Sequence, residues 1–279
     1  MKRNSFSIIG GDARNLAVAS QLCRLGMEVH MFGFNASQNI PQQASLCENL
    51  REAAACSRYI VLPLPVSEGN GLLRTPLYDG TIFAGDVIRH ITADQMLFGG
   101  KLPQELCEML EQATLPYVDY AKRDEFAAAN AVPTAEGAIE IALRETPFTL
   151  NGANCLVTGF GRISKILAHF LQGLGAHVTV AARRFSDLST ISAFGYTAVH
   201  TKDIPDVISD FQIVFNTVPA LLFDENTLAS AAKDVLLIDL ASKPGGADDI
   251  LDNFFAFLKE KCSHKSKMWY NKHSVSSKA

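Results

Sequence analysis

Hydrophobic positions along the chain follow two spacings. Short continuous apolar runs, such as "FSIIG" (6–10), "RYIVLPL" (58–64), "NCLVTG" (154–159) and "VLLIDLA" (235–241), alternate with stretches whose apolar residues recur every three or four positions. A continuous run suits a strand buried on both faces of a parallel sheet, and the three-four spacing suits an amphipathic helix. Residues 6–34 read as strand, glycine turn, helix, strand. Leu16, Ala19, Leu22 and Leu25 form the helical stripe, Gly26 stops it, and Glu28 to Phe34 is strand-like. A polar loop around Pro41 and a helix near Cys47 to Cys56 follow. Further βα units are predicted through 58–64, "TIFAG" (81–85), "QMLFGG" (95–100), "LPQELCEMLEQA" (102–113) and "PYVDY" (116–120).

A long helix is expected from Thr134. Pro133 precedes it, Thr134 can cap it, Glu136 lies near its positive end, and Pro147 closes it. Its apolar face is Ala138, Ile139, Ile141, Ala142 and Leu143. "TLNGANCLVTGFG" then opens a second α/β unit, with strands near 154–158, 176–181, 196–199, 211–216 and 235–240. The pattern predicts an α/β chain of two Rossmann-like doubly wound domains joined by a long helix. Residues 1–133 form an N-terminal substrate domain, 134–146 the linking helix, 147–258 a dinucleotide domain, and 259–279 a basic, disordered tail.

Composition narrows the function. A chain of 279 residues with 48% hydrophobic content can bury cores of this size. A net charge of -4 supplies no global basic field for nucleic acid or a membrane surface. No apolar run approaches the roughly 20 residues of a membrane span. The start, "MKRNSFSIIGGDARN", is too short in its apolar part for an export signal. None of the six cysteines lies in a C-x-x-C pair, which fits a reduced, cytoplasmic chain. No metal-ligand spacing is read.

The most specific chemistry sits at Gly159-Phe160-Gly161-Arg162-Ile163-Ser164, between a strand and a helix. Gly159 permits the tight turn and Gly161 lets a pyrophosphate approach the backbone. The helix N-terminus at Arg162 and Ile163 then offers free N–H groups to phosphate. Ser164 replaces the usual third glycine or alanine. In an NAD site the second strand ends in an acid that bonds the ribose 2′-OH. Here that position is Ala182, followed by Arg183 and Arg184, whose guanidinium groups match a 2′-phosphate. The cofactor read from the sequence is therefore NADP. Asn216, Thr217 and Pro219 end a later strand of the same crevice, and the turn after Asp239, residues 242–246, ends the next. Turn chemistry alone would account equally well for Pro219 and for that second turn.

"GGDARN" in the first half lacks the dinucleotide spacing. Asp12 reads as a helix cap, and Arg14, at a glycine turn facing an interdomain cleft, as an anchor for a carboxylate. Taken together, "IIGGDARN", "AAANAVPTAEGAIEIAL", "LVTGFGRISKILA", "NTVPA" and "IDLASKPGG" resemble the catalytic component of bacterial dipicolinate synthases. The resemblance runs from residue 6 to about 247, and "NAVPTAEGAIEIAL" carries it furthest. It implies an NADP-dependent dehydrogenase of spore-forming bacteria, acting in the mother-cell cytoplasm on a cyclic hydroxy-tetrahydrodipicolinate from the lysine pathway. It also implies a flavoprotein-like second component, the B subunit, and an oligomeric assembly. The substrate is a small dicarboxylate. Arg14 and the helix start at Thr134 are its candidate anchors, and Asp124, Asn130 and Glu136 are candidate acid–base or polar groups. After Gly246 the sequence departs from the family: residues 259–279 hold six lysines, two histidines and one acid. Two other readings stay open, another dehydrogenase of amino or hydroxy acids and a nucleotide-binding regulatory protein without turnover.

Overall fold

Ile8 and Ile9 are adjacent in sequence, fully buried, and belong to different hydrophobic clusters. That is the signature of a strand covered on both faces, because successive side chains point to opposite sides of a sheet. The computed structural model of the chain describes residues 5–67 and 69–241, and the backbone of 268–271. It divides into two units, Met1–Ala127 and Ala128–Ala279.

The first unit contains β1 (Ser5–Ile9), α1 (Ala13–Arg24), β2 (Glu28–Phe32), β3 (Ala44–Leu46), α2 (Leu50–Cys56), β4 (Tyr59–Val61), α3 (Ala84–His90), β5 (Met96–Gly99), α4 (Gln104–Gln112) and β6 (Tyr117–Asp119). All its strand pairs are parallel, in the order β3-β2-β1-β4-β5-β6. The chain leaves α1 as expected. Gly26, at φ 73°, takes the left-handed position, and the Gly26 and Met27 N–H groups close the helix on Cys23 and Leu22 carbonyls. The run 81–85 differs from expectation. It forms no strand, only an isolated bridge from Phe83 to Leu72, and α3 starts at Ala84.

The second unit repeats this wiring. A helix, α5 (Asp124–Glu145), leads into β7 (Asn154–Thr158), α6 (Arg162–Gly173), β8 (His177–Ala182), α7 (Phe185–Ala193), β9 (Thr197–His200), α8 (Ile204–Val207), β10 (Ile213–Asn216), α9 (Glu225–Ser230), β11 (Leu236–Asp239) and β12 (Met268–Asn271). The parallel order is β9-β8-β7-β10-β11-β12, the same as in the first unit when read from its third strand. Cys155 and Val157 of β7 join the cluster that holds α6 and the α5 alanines. Leu156, between them, joins the opposite cluster with Ile204, Ile208 and Leu228. Each fully buried leucine or isoleucine contributes about 1.5–3 kcal/mol relative to exposure.

Two expectations are corrected. Four residues of the segment read as a disordered tail, Met268–Asn271, form β12 and pair in register with β11; the rest of that segment lies outside the described residues. The linking helix starts at Asp124 rather than Thr134, and Pro133 lies inside it. The division between units falls in this helix, after Ala127. The helix survives the proline because its buried stripe, Ala131, Ala135, Ala138 and Ala142, keeps one helical face across it. Pro133 has no N–H to offer the Ala129 carbonyl, but both residues are exposed, so water can reach it. Thr134 is accordingly no N-cap; its hydroxyl donates to the Asn130 carbonyl at 2.8 Å.

Pro133→Ala restores a helical hydrogen bond at an exposed site and is expected to raise the unfolding free energy by about 1–3 kcal/mol. Urea denaturation followed by circular dichroism measures it. No gain would mean that packing of the alanine stripe, not helix propensity, sets the path of α5.

Candidate nucleotide-binding site

Register brings the chemistry of the second unit to one edge. Asp239, Asn216, Thr158 and Ala181 are successive cross-strand partners at or next to the carboxyl ends of β11, β10, β7 and β8. The order reverses at β7, whose neighbours are β8 and β10, so the crevice of a doubly wound sheet falls above its end. Gly159 turns the chain there at φ 86°. A Cβ on it would stand 2.8 Å from Thr217 Oγ1 and 2.9 Å from Val218 Cγ2, so only glycine fits. A Cβ on Gly161 would meet nothing within 4 Å. That glycine keeps space open, as close approach of a phosphate to the backbone needs.

The turn is wired from below by buried polar side chains. Thr158 Oγ1 donates to Asn216 Oδ1 at 2.6 Å, and Asn216 Nδ2 donates to Asp239 Oδ1 at 3.0 Å. The Asp239 carboxylate also accepts the Ala241 N–H at 2.9 Å. Thr217 Oγ1 donates to the Thr158 carbonyl at 2.7 Å and lies 2.8 Å from Ser164 Oγ. A hydroxyl has one proton, so Ser164 is the donor in that pair. Ser164, fully buried, thus ties α6 to the loop after β10 where a third glycine would only pack. Sequence spacing marks Ser164 only as a mild departure and carries no sign of the chain from Ser164 to Asp239.

Gly161 is the N-cap of α6, and no side chain caps it. The first turn of α6, with Arg162 and Ile163, forms the positive end of the helix, where N–H groups have no carbonyl four residues earlier within the helix. Phe160 is half-buried, held between the Lys165 ammonium, 4.7 Å from its ring centre, and the Phe194 ring at 6.2 Å. β8 ends at Ala182, and Arg183 and Arg184 follow, both exposed. Among the described residues Arg183 has no hydrogen-bond or ion-pair partner, and Arg184 has a long contact of 3.9 Å to Asp187. Pro219 is exposed beyond β10, and residues 242–246 lie outside the described residues.

The first unit presents the same turn in a filled state. Gly10 and Gly11 both have positive φ, 69° and 118°, at the end of β1. A Cβ on Gly11 would strike the Asn15 side chain at 2.2 Å. Asp12 caps α1, and Asn15 completes the capping box. The Asp12 carboxylate accepts the Arg14 backbone N–H at 3.0 Å, Arg14 Nε at 3.0 Å, Arg14 Nη2 at 2.8 Å, and Arg74 Nη1. Burial by itself would raise this carboxyl, but the hydrogen bonds from Arg14 and Arg74 outweigh it and hold the pKa at about 2. An internal carboxylate therefore occupies the helix end that α6 leaves open. Arg14, expected to await a ligand carboxylate, already forks onto Asp12 and bonds the Leu64 carbonyl. Its Nη1 edge remains for other contacts, and the side chain is 58% exposed. Arg74 was not anticipated. Burial pushes the nearby Tyr120 phenol up to about 12, against the opposing pull of Arg14.

The remaining candidates lie along α5. Asp124, its first residue, and Asn130 and Glu136 are exposed; Thr134 is half-buried. Helical geometry sets Asn130 and Thr134 on one face and turns Asp124 and Glu136 onto others. Among the described residues no cysteine is bonded to another; Cys47 and Cys155 are buried, with thiols pushed up to about 11 and about 12 mainly by desolvation. No helix among them is long and apolar enough to cross a membrane.

Two parallel sheets of order 3-2-1-4-5-6, one with an open glycine turn at its switch point, define a two-unit Rossmann-type α/β protein. A transhydrogenase from Sinorhizobium meliloti shares this fold, with TM-score 0.63 and 15% identity over 88% of this chain and 80% of that one. The likeness becomes specific elsewhere. Residues 5–121 match the N-terminal domain of the dipicolinate synthase A subunit. The dipicolinate synthase A subunit of Bacillus subtilis is 30% identical over 244 residues, 87% of this chain and 82% of that protein. The crystal structure of the A chain of dipicolinate synthase from Bacillus subtilis superposes with TM-score 0.81 at 28% identity, over 98% of this chain and 89% of the other. The chain belongs to the family of dipicolinate synthase A subunits.

Asp12 has a folded pKa of about 2, below the ordinary 3.8. Its contribution to stability is therefore complete above about pH 4 and is lost as pH falls toward 2. In acid titrations followed by circular dichroism, Asp12→Ala is expected to flatten that part of the stability profile. An unchanged slope would show that the Asp12–Arg14–Arg74 cluster does not couple to folding.

Proposed function

We propose that the chain is an NADP-dependent oxidoreductase that forms dipicolinate from the cyclic hydroxy-tetrahydrodipicolinate during sporulation. Membership of the dipicolinate synthase family supports this substrate. The observation that carries the cofactor reading is local: an open glycine turn at Gly159–Gly161, with Ala182 and then an Arg183 that has no ion-pair partner among the described residues, where an NAD site has its carboxylate. An acid there would repel a 2′-phosphate, whereas guanidinium groups attract it and pair with it bidentately. NADP supplies the hydride acceptor of this chemistry. The chain's own part is to bind and aim. Backbone N–H groups from Gly161 to Ile163 hold the pyrophosphate, Arg183 and Arg184 hold the 2′-phosphate, and the loop Asn216-Thr217-Pro219 lines the site.

The reaction removes water and two electrons from the ring, and the gain of aromaticity drives it. The protein must hold two carboxylates while a ring C–H meets the cofactor. Arg14 is the proposed carboxylate donor, through its outward Nη1 edge, with Asp12 fixing the guanidinium plane. Asp124, Asn130, Thr134 and Glu136 remain proposed polar groups of the same chemistry. A flavoprotein-like B subunit is the proposed partner in an oligomeric, cytoplasmic assembly.

Calorimetry is expected to give tighter binding of NADP than of NAD, and the double change Arg183→Asp with Arg184→Ala is expected to reverse that order. Each charged phosphate contact is worth about 1.5–3 kcal/mol. Equal affinities before mutation would overturn the cofactor reading. Gly161→Val is expected to abolish binding of both with an unchanged circular dichroism spectrum, since its side chain enters open space in a turn without positive φ.

Absorbance at the reduced-cofactor band, with the cyclic intermediate and with or without the B subunit, tests turnover. NADP binding without reduction under every condition would favour a regulatory role. Arg14→Ala is expected to lower kcat/KM by about tenfold or more with NADP affinity unchanged, the loss of one charged hydrogen bond. Unchanged kinetics would remove Arg14 from the substrate site.

A further inference from the structure

The loop after β8 does not stand alone at the ribose end of the site. Ala182 and His200, the last residues of β8 and β9, are cross-strand partners. His200 therefore lies on the neighbouring strand, beside the position from which the acid is missing. Its orientation is set twice. Nδ1 accepts the Lys202 backbone N–H at 3.1 Å, which leaves Nε2 as the nitrogen that carries the proton of the neutral ring. The Phe185 ring stands 5.8 Å away, tilted by 42°. Phe185 begins α7 directly after Arg184 and is 78% exposed, so its ring is not there to fill a core. The positive groups around this ring pair are Arg183, Arg184 and Lys202; the acids are Asp187, at 3.9 Å from Arg184, and Asp203.

We infer that His200 is a further specificity residue of the cofactor site. Its Nε2–H donates to the adenosine 2′-phosphate alongside Arg183, and Phe185 is the positioning residue that holds the imidazole ring. The inference rests on the NADP reading above. A phosphate has acceptor oxygens facing several directions, and the two arginines approach from one loop only. A donor on the next strand supplies a second direction, and the Lys202 contact fixes which nitrogen offers it.

The test uses 2′,5′-ADP and 5′-AMP, which differ only in the 2′-phosphate, titrated calorimetrically into the full chain at one pH. The wild type is expected to prefer 2′,5′-ADP. His200→Leu is expected to weaken 2′,5′-ADP by about tenfold while 5′-AMP changes less than about twofold, and His200→Gln, which keeps an N–H donor, to recover part of the loss. Phe185→Ala is expected to weaken 2′,5′-ADP selectively but less than His200→Leu does. If His200→Leu leaves the wild-type preference intact, or weakens both nucleotides alike, His200 does not read the phosphate and the inference falls while the NADP reading stands. Equal weakening of both nucleotides in Phe185→Ala would make that ring a platform for adenine and overturn its positioning role. A wild type without preference between the two overturns the inference and the NADP reading together.

Discussion

Parallel pairing is the constraint from which the site follows. A strand can meet its parallel neighbour only after the chain has returned to the starting edge through a crossover, so every strand of each sheet ends at the same side. Turns after strands then collect along one edge, and a reversal of strand order opens a crevice there. In the second unit this puts Gly159, Ala182, His200, Asn216 and Asp239 on one edge although they are far apart in sequence. No side-chain attraction is needed to gather them. The polar chain from Ser164 to Asp239 only sharpens a geometry that the sheet has already imposed. It does so without loose ends: each hydroxyl or amide in it has a hydrogen-bond partner, the condition under which such a network stiffens a site instead of weakening it.

The two units solve the same electrostatic problem in opposite ways. A helix that begins at a glycine turn exposes N–H groups and a positive dipole end. In the first unit Asp12 supplies the negative charge from within the chain, and Arg14 and Arg74 neutralise it in turn. In the second, Gly161 supplies nothing. The difference of one side chain, aspartate against glycine at the N-cap, separates a side-chain-capped corner from a turn that no side chain caps. It also explains why the first turn tolerates the loss of dinucleotide spacing: with its positive end already satisfied, nothing there has to approach the backbone.

Much of this was legible in the pattern of residues, and the failures have physical causes. Strands buried on both faces read as continuous apolar runs, so β1, β7, β10 and β11 stand out. β3 could not, because its three residues form an edge and are largely exposed. Pro133 misled for a different reason. Proline ends a helix when propensity decides, but α5 is held by the alanines of its buried face, and the packed stripe continues through it. At the proposed site, the glycines at the strand end and the arginines in place of an acid stand in the sequence itself, and the cofactor reading rests on them. Arg74 and Ser164 were not legible in that way, since each bonds to a partner more than 50 residues away, nor was the place of His200 beside Ala182, which only the register of the sheet sets.

The missing carboxylate after β8 is the more instructive because cations directly follow it in the chain. Ala182 is buried and neutral, and the groups that follow it, Arg183, Arg184 and Lys202, are cations at the rim. Exposed cations that only decorate a surface gain little from pairing and are usually screened. Arg184 reflects that, with a distant acid as its sole ion-pair contact among the described residues. In the proposed site their value would change, because a 2′-phosphate would reach them on a nucleotide whose pyrophosphate the turn backbone already held. The ligand is then fixed in place, the cost of orienting it has been met by the glycine turn, and each guanidinium contact adds to binding with little further ordering. On the proposed NADP reading, selectivity for the phosphorylated ribose would depend on Gly159 and Gly161 as much as on the arginines: without a rigid turn to register the nucleotide, the same cations would be an ordinary basic rim.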